Sequence, residues 1–235
     1  MYFLHIYFGA NIGISSESKN YLQGVIPSFT KHNFKKICDQ LALADKDLDM
    51  IIRTHDYPPM WTRPNTFETL VHIILEQQVS LASALAALNK LRARLQEVTP
   101  QRFLELTDEE LKACYFSRQK TVYSRGLATA LVEGDLSLHA LASLPDDEVR
   151  AKLITLKGVG NWTIDVYLMF VLQRTDIFPM GDLAALNALR RVKKLSRDTS
   201  KEKLSAIVAK WQPHRTVATM LLWHLYLSAP MREKV

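Results

Sequence analysis

Apolar residues recur along the chain at three- and four-residue spacing, and period-two alternation is nearly absent. No Asn-Gly or Asp-Gly pair marks a hairpin between strand-like runs. The periodicity predicts helices near 33–44, 46–53, 66–78, 80–96, 107–114, 118–133, 137–143, 146–156, 161–173, 182–193, 201–210 and 214–228. Ser80, Thr107, Asp146 (preceded by Pro145) and Asn161 stand where helix N-caps belong. Gly134 suits a helix end, and Pro179 and Pro213 separate neighbouring helices. The stretch YPPMWTRPN, residues 57–65, is the clearest linker, and neither a repeat nor a low-complexity tract is present. The pattern therefore predicts an all-α protein with short connections.

One stretch departs from plain amphipathic helix. In LKGVGNWTIDVYLMFVL, residues 156–172, two glycines one residue apart precede a run with almost no polar face. With no strand before it, the turn is no Rossmann loop, and with no GK[ST] after it, no Walker loop. The remaining reading is a helix–hairpin–helix: 146–156, then Lys157-Gly158-Val159-Gly160, then a helix opening at Asn161. Glycines let a phosphate approach the backbone, and the N–H groups opening the second helix favour an anion. Val159 is expected to tuck between the helices, and the second helix, apolar all round, to be buried. The turn by itself is equally consistent with an ordinary αα-hairpin.

Composition narrows the partners. The 235 residues are 48% hydrophobic and 23% charged, which is globular, and the net charge of +6 favours a polyanion. The two cysteines, Cys38 and Cys114, have no CxxC spacing, which argues against a disulfide framework, a four-Cys zinc site and an iron–sulfur cluster. The start, MYFLHIYFGANIGISS, lacks the basic flank and cleavage site of a signal peptide and is too short for a membrane anchor. An intracellular, reducing compartment without membrane contact is the expectation. Residues 1–32 are expected to be a poorly ordered extension and 33–235 the helical domain.

The segment RTDIFPMGDLAALNALRRV, residues 174–192, places a Gly-Asp pair behind the hairpin's second helix. Hairpin, Gly/Pro loop and Asp in that order resemble the helix–hairpin–helix/GPD superfamily of DNA glycosylases. Within it, the chain resembles bacterial 3-methyladenine DNA glycosylase II. FETLVHIILEQQVSLASA (67–84), FSRQKTVYSRGLA (116–128) and WQPHRTVATMLLWHLYL (211–227) are similar to that family's other blocks, in the same order. The resemblance spans roughly residues 33–228. It implies an all-α glycosylase fold of two helical lobes around a cleft, acting as a monomer on damaged double-stranded DNA. The implied activity is that of a monofunctional glycosylase of base excision repair, which flips out alkylated bases such as 3-methyladenine and hydrolyses the N-glycosidic bond. Glycosylases for other lesions and a catalytically silent helix–hairpin–helix DNA-binding protein are the competing readings.

The resemblance also implies roles, residue by residue. Asp182 matches the catalytic aspartate, and a helix N-terminus is a favourable place for its charge. Gly158, Gly160, Lys157 and Asn161 fall at the hairpin that holds the DNA backbone. Trp162 and Trp223 match aromatic positions of the base pocket. Val166 stands where a well-known relative has a pocket tyrosine, so Tyr167, one residue on, is the third pocket candidate. Trp162 also occupies the place of the Schiff-base lysine of bifunctional relatives, and an indole forms no imine. Gln78 and Gln77 end the early helix, where relatives carry the wedge that fills the vacated stack. Arg118, Lys120, Arg190, Arg191, Lys193 and Lys194 are candidate phosphate contacts or simply a solvated face. No metal site or cofactor is expected, a monovalent ion at the hairpin excepted.

Overall fold

A computed structural model of the chain describes residues 26–228. Among the described residues it has thirteen helices, no strand, and one isolated antiparallel bridge between Ser28 and Arg174. The all-α expectation holds. In chain order the helices are α1 (Phe34–Ala44), α2 (Lys46–His55), α3 (Phe67–Glu76), α4 (Leu81–Leu95), α5 (Pro100–Glu105), α6 (Asp108–Ala113) and α7 (Arg118–Val132). They continue with α8 (Leu138–Ala142), α9 (Asp146–Leu153), α10 (Asn161–Phe170), α11 (Leu183–Val192), α12 (Lys201–Ala209) and α13 (Arg215–Ser228). No described helix is long and apolar enough to cross a membrane.

Most helix starts follow from side-chain caps. Ser80 accepts from the Ser83 amide, and Thr107 forms a capping box with Glu110. Two starts lie one residue earlier than expected: Pro145 and Gly160 take the cap positions, so Asp146 and Asn161 are first helical residues with no cap bond from either N-cap. The periodic reading also passes over α5, whose six residues span less than two turns, although Thr99 caps it and Pro100 sits at its first position.

Two helices make the centre. From Thr163 to Phe170, α10 is buried at every position, and α13 is buried from Thr216 to Leu222. Both are apolar around nearly the whole circumference, so each must be covered on all sides. α3 packs against α10, α4 and α7, while α13 packs against α11, α2 and α1. α9 lies on α10 and forms the first arm of the hairpin.

Residues 26–32, assigned to the extension by the sequence, are tied to this body. Phe29 is fully buried, its amide donates to Gln173 O at 3.0 Å, and the Thr175 amide donates to Pro27 O at 3.3 Å. Residues 1–25 of the expected extension lie outside the described residues.

One polar cluster joins the ends of distant helices. Lys193, at the end of α11, reaches both oxygens of Asp45 at 2.6 Å and Asp47 at 2.8 Å, and the Trp211 indole N–H donates to Asp45 at 2.8 Å. Burial alone would raise the Asp45 carboxyl, but the Lys193 and Trp211 hydrogen bonds outweigh it and hold the group below its ordinary value. Lys193 is thus engaged in the fold and unsuited to the phosphate role open to it in the sequence.

Candidate active site

The hairpin takes the form that its glycines require. Gly158 has φ +85, and a Cβ there would lie 2.0 Å from Cγ of Tyr123, so both backbone and space demand glycine. Gly160 meets nothing within 4 Å; its bare backbone faces open space at the exposed edge of the turn. Val159 is buried between the two arms, as its position suggests. The arms are braced by Arg150 of α9, which donates to Asp165 of α10 at 2.5 Å. Burial raises the Asp165 carboxyl, and Arg150 partly counters it.

Gln77 has a different place from the one expected. Its Nε2 donates to Gly158 O and to Thr163 Oγ1, both at 2.9 Å, fastening the end of α3 to the hairpin. It is therefore spent inside the fold and cannot be a free wedge. Gln78, next in the chain, adopts φ 58, which turns it outward, exposed on the groove beside the hairpin. Of the two glutamines only Gln78 is exposed.

Asp182 caps α11. Its Oδ1 accepts from the Ala185 amide at 2.7 Å and from Trp223 Nε1 at 3.0 Å, and its Oδ2 accepts from Trp162 Nε1 at 2.9 Å. Both expected pocket tryptophans thus converge on the expected catalytic carboxylate from sequence separations of 20 and 41 residues. Asp182 is only 8% exposed, yet it lines two adjoining cavities. One is an open groove of about 900 Å³, bordered by Gln78, Lys157, Gly158, Gly160 and Leu183. The other is a more enclosed hollow of about 590 Å³, walled by Trp61, Trp162, Val166, Phe170 and Trp223. Trp223 packs edge-on to Trp61 at 6.5 Å between ring centroids and against Phe170 at 5.3 Å. The hollow falls within the size of ordinary ligand pockets.

Tyr167 does not belong to this wall. It is fully buried, and its hydroxyl donates to Asn65 Oδ1 at 2.8 Å. Successive residues on a helix point about 100° apart; with Val166 facing the hollow, Tyr167 turns into the core. Lys120, a candidate phosphate contact, donates instead to Leu75 O at 2.6 Å. The sequence reading also passed over Trp61 and Arg63, because it took their segment for a linker. Aromatic and charged residues in an otherwise Pro-rich loop were the available signal, since loops on a rigid scaffold commonly carry sites.

The family described as "HhH-GPD superfamily base excision DNA repair protein" matches residues 71–214, which include α9, the hairpin, α10 and Asp182. The chain belongs to the HhH-GPD superfamily. Among superfamily relatives, a putative DNA-3-methyladenine glycosylase of Bacillus subtilis is 27% identical over 213 residues, covering 87% of this chain and 69% of that protein. DNA-3-methyladenine glycosylase 1 of Schizosaccharomyces pombe is 30% identical over 164 residues, covering 67% of this chain and 71% of that protein. The solved structure of the S. pombe 3-methyladenine DNA glycosylase in complex with abasic DNA superposes with a TM-score of 0.75. Its sequence identity is 25%, over 83% of this chain and 98% of that one. An 8-oxoguanine glycosylase/lyase of Clostridium acetobutylicum, 18% identical with a TM-score of 0.71, shares the fold.

Proposed function

We propose that the chain is a monofunctional DNA glycosylase that removes alkylated purines, 3-methyladenine among them, from damaged duplex DNA. The observation that carries the reading is Asp182. It caps α11 where an open groove meets an aromatic hollow, with the N–H groups of both hollow-wall tryptophans on its carboxylate. The relatives named above supply the reaction class, and the S. pombe complex supplies DNA as the polymer.

A base inside a duplex cannot reach a carboxylate beneath the surface, so the nucleotide must swing out, at a cost of a few kcal/mol. The hairpin receives the backbone: the first-turn amides of α10 have no intrahelical acceptor, and Gly160 leaves the approach clear. Gln78 stands at the groove to occupy the vacated stack. The flipped base enters the hollow, where the indole faces of Trp162 and Trp223 attract a cationic purine by about 1–2 kcal/mol when water is excluded. Departure of the base leaves positive charge on the sugar, and Asp182 at the mouth stabilises it or orients the attacking water. An alkylated purine is already cationic and needs little acid assistance in leaving. Trp162 offers no amine for an imine, so strand cleavage has no nucleophile at that position.

A monovalent ion at the hairpin fits the loop's oxygens. The Leu156 and Gly158 carbonyls each accept one hydrogen bond and keep a second lone pair. Such an ion would add positive charge beside a phosphate.

The deciding experiment incubates the protein with methylated duplex DNA and analyses both products. Released 3-methyladenine and a strand nicked only after alkali are expected. A covalent adduct trapped by borohydride would refute the monofunctional reaction, and absence of any released base would refute the activity.

A further inference from the structure

The lining of the aromatic hollow includes an ion pair. Arg63, from the loop before α3, donates through Nη1 and Nη2 to the two oxygens of Glu76 at 2.8 and 2.7 Å, and both residues line the hollow. The Glu76 side chain is 5% exposed and that of Arg63 26%. Behind them, His72 Nε2 lies 3.6 Å from Glu76 Oε1 and makes no hydrogen bond of its own. Burial lowers the His72 pKa, with Glu76 opposing it, so the imidazole is biased toward the neutral form. Glu76 is also the exception on α3, whose other buried residues are apolar except for Thr69.

A buried ion pair is a weak stabiliser, because apolar residues of similar volume commonly do as well. Its position facing the ligand space is the informative feature. Arg63 uses one lone pair on each Glu76 oxygen and leaves one on each. The indole N–H groups of Trp162 and Trp223 are taken by Asp182, so Glu76 and Asp182 are the carboxylates that border the hollow. Asp182 borders both the groove and the hollow, whereas Glu76 borders the hollow and not the groove, so a base seated in the hollow would meet Glu76 while its sugar stayed beside Asp182.

Resting on the glycosylase reading above, we propose that Glu76, held in place by Arg63, selects the base. It accepts from the exocyclic amino group of an alkylated adenine or guanine and favours the positive charge such a purine carries. Hypoxanthine has neither that amino group nor the positive charge, and its ring N1–H is a donor that an amide oxygen satisfies as well as a carboxylate does.

The test compares single-turnover excision of 7-methylguanine and hypoxanthine, with affinity for abasic-site duplex and a melting curve as controls. Glu76→Gln keeps the size but removes the charge. It is expected to slow 7-methylguanine release roughly tenfold or more, while hypoxanthine release and abasic-site affinity stay within about twofold. Arg63→Lys keeps the counter-charge but loses the two-point hold on Glu76, so it is expected to slow 7-methylguanine release, by less than Glu76→Gln does, with hypoxanthine release within about twofold of wild type. Equal losses for the two bases, in Glu76→Gln or in Arg63→Lys, would assign the pair to packing and overturn the proposal. If Glu76→Gln melts, the double variant Arg63→Gln/Glu76→Gln, with an amide pair in place of the ions, carries the same comparison. A wild-type chain that releases no methylated base refutes the glycosylase reading itself, and the role of Glu76 with it.

Discussion

The carboxylate of Asp182 has about four lone-pair sites, and three are filled by the Ala185 amide and the two indole N–H groups. The remaining capacity is on Oδ2, where an oxocarbenium-like sugar or a water would meet it. On the proposed reading Trp162 and Trp223 therefore serve twice, as faces for the base and as clamps on Asp182. This decides what Asp182→Asn should do. An amide supplies one acceptor oxygen, so capping and one indole contact can survive while the other indole N–H meets an N–H₂ group. A stability loss of about 1–3 kcal/mol is expected from that mismatch. Removing the charge should slow single-turnover excision on the order of a thousandfold. Affinity for abasic-site duplex should hold or tighten, because a negative charge near phosphates is gone. A folded variant that excises near the wild-type rate would remove Asp182 from the chemistry.

At the scale of elements, the two hairpin glycines separate cleanly. Gly158→Ala puts a Cβ at φ +85 and into the Tyr123 ring, so a loss of about 2 kcal/mol or more in melting experiments is expected. Gly160→Ala meets open space and should leave stability nearly unchanged while weakening DNA binding; equal melting losses for both would contradict this geometry. The sequence made the hairpin legible, because two glycines before an all-apolar helix leave few structures open. It could not tell which glycine was indispensable, since Tyr123 lies 35 positions away and meets Gly158 only through the packing of α7. The same limit hid Trp61 and Arg63, whose loop resembles a linker until the fold lays it along the hollow, and it hid the fate of Gln77. Periodicity found the long helices; α5 is too short to show a period. The clasp between α11 and the start of α2 was likewise unreadable, and it predicts a pH effect. Asp45 has a lowered folded pKa, so its contribution is present above the ordinary value near 3.8 and is lost as pH falls toward the folded value. Asp45→Asn should therefore destabilise the protein at neutral pH, with the gap to wild type closing in acid. A gap independent of pH between 7 and 3 would show that the carboxylate's charge is not what matters.

For the whole molecule, a formal charge of +6 describes attraction to DNA only where the charges are free to meet phosphates. Lys157 and Lys193 carry the same charge in different situations. Lys157 is exposed on the groove beside the hairpin, while Lys193 is held by Asp45 and Asp47. Binding to abasic-site duplex should weaken linearly in log–log terms with added salt, with a slope near −0.9 for each phosphate neutralised. Lys157→Ala should lower the magnitude of that slope by about one and weaken binding uniformly across DNA sequences, with little change in melting temperature. Lys193→Ala should do the reverse. It removes the partner of a half-buried carboxylate pair, so a stability loss of about 1–3 kcal/mol is expected with the salt slope unchanged. The measurement is a salt titration of affinity beside a melting curve for each variant. If Lys193→Ala flattened the slope as much as Lys157→Ala, the DNA footprint would have to extend to the clasp at the start of α2. The hairpin and groove would then be only part of the interface.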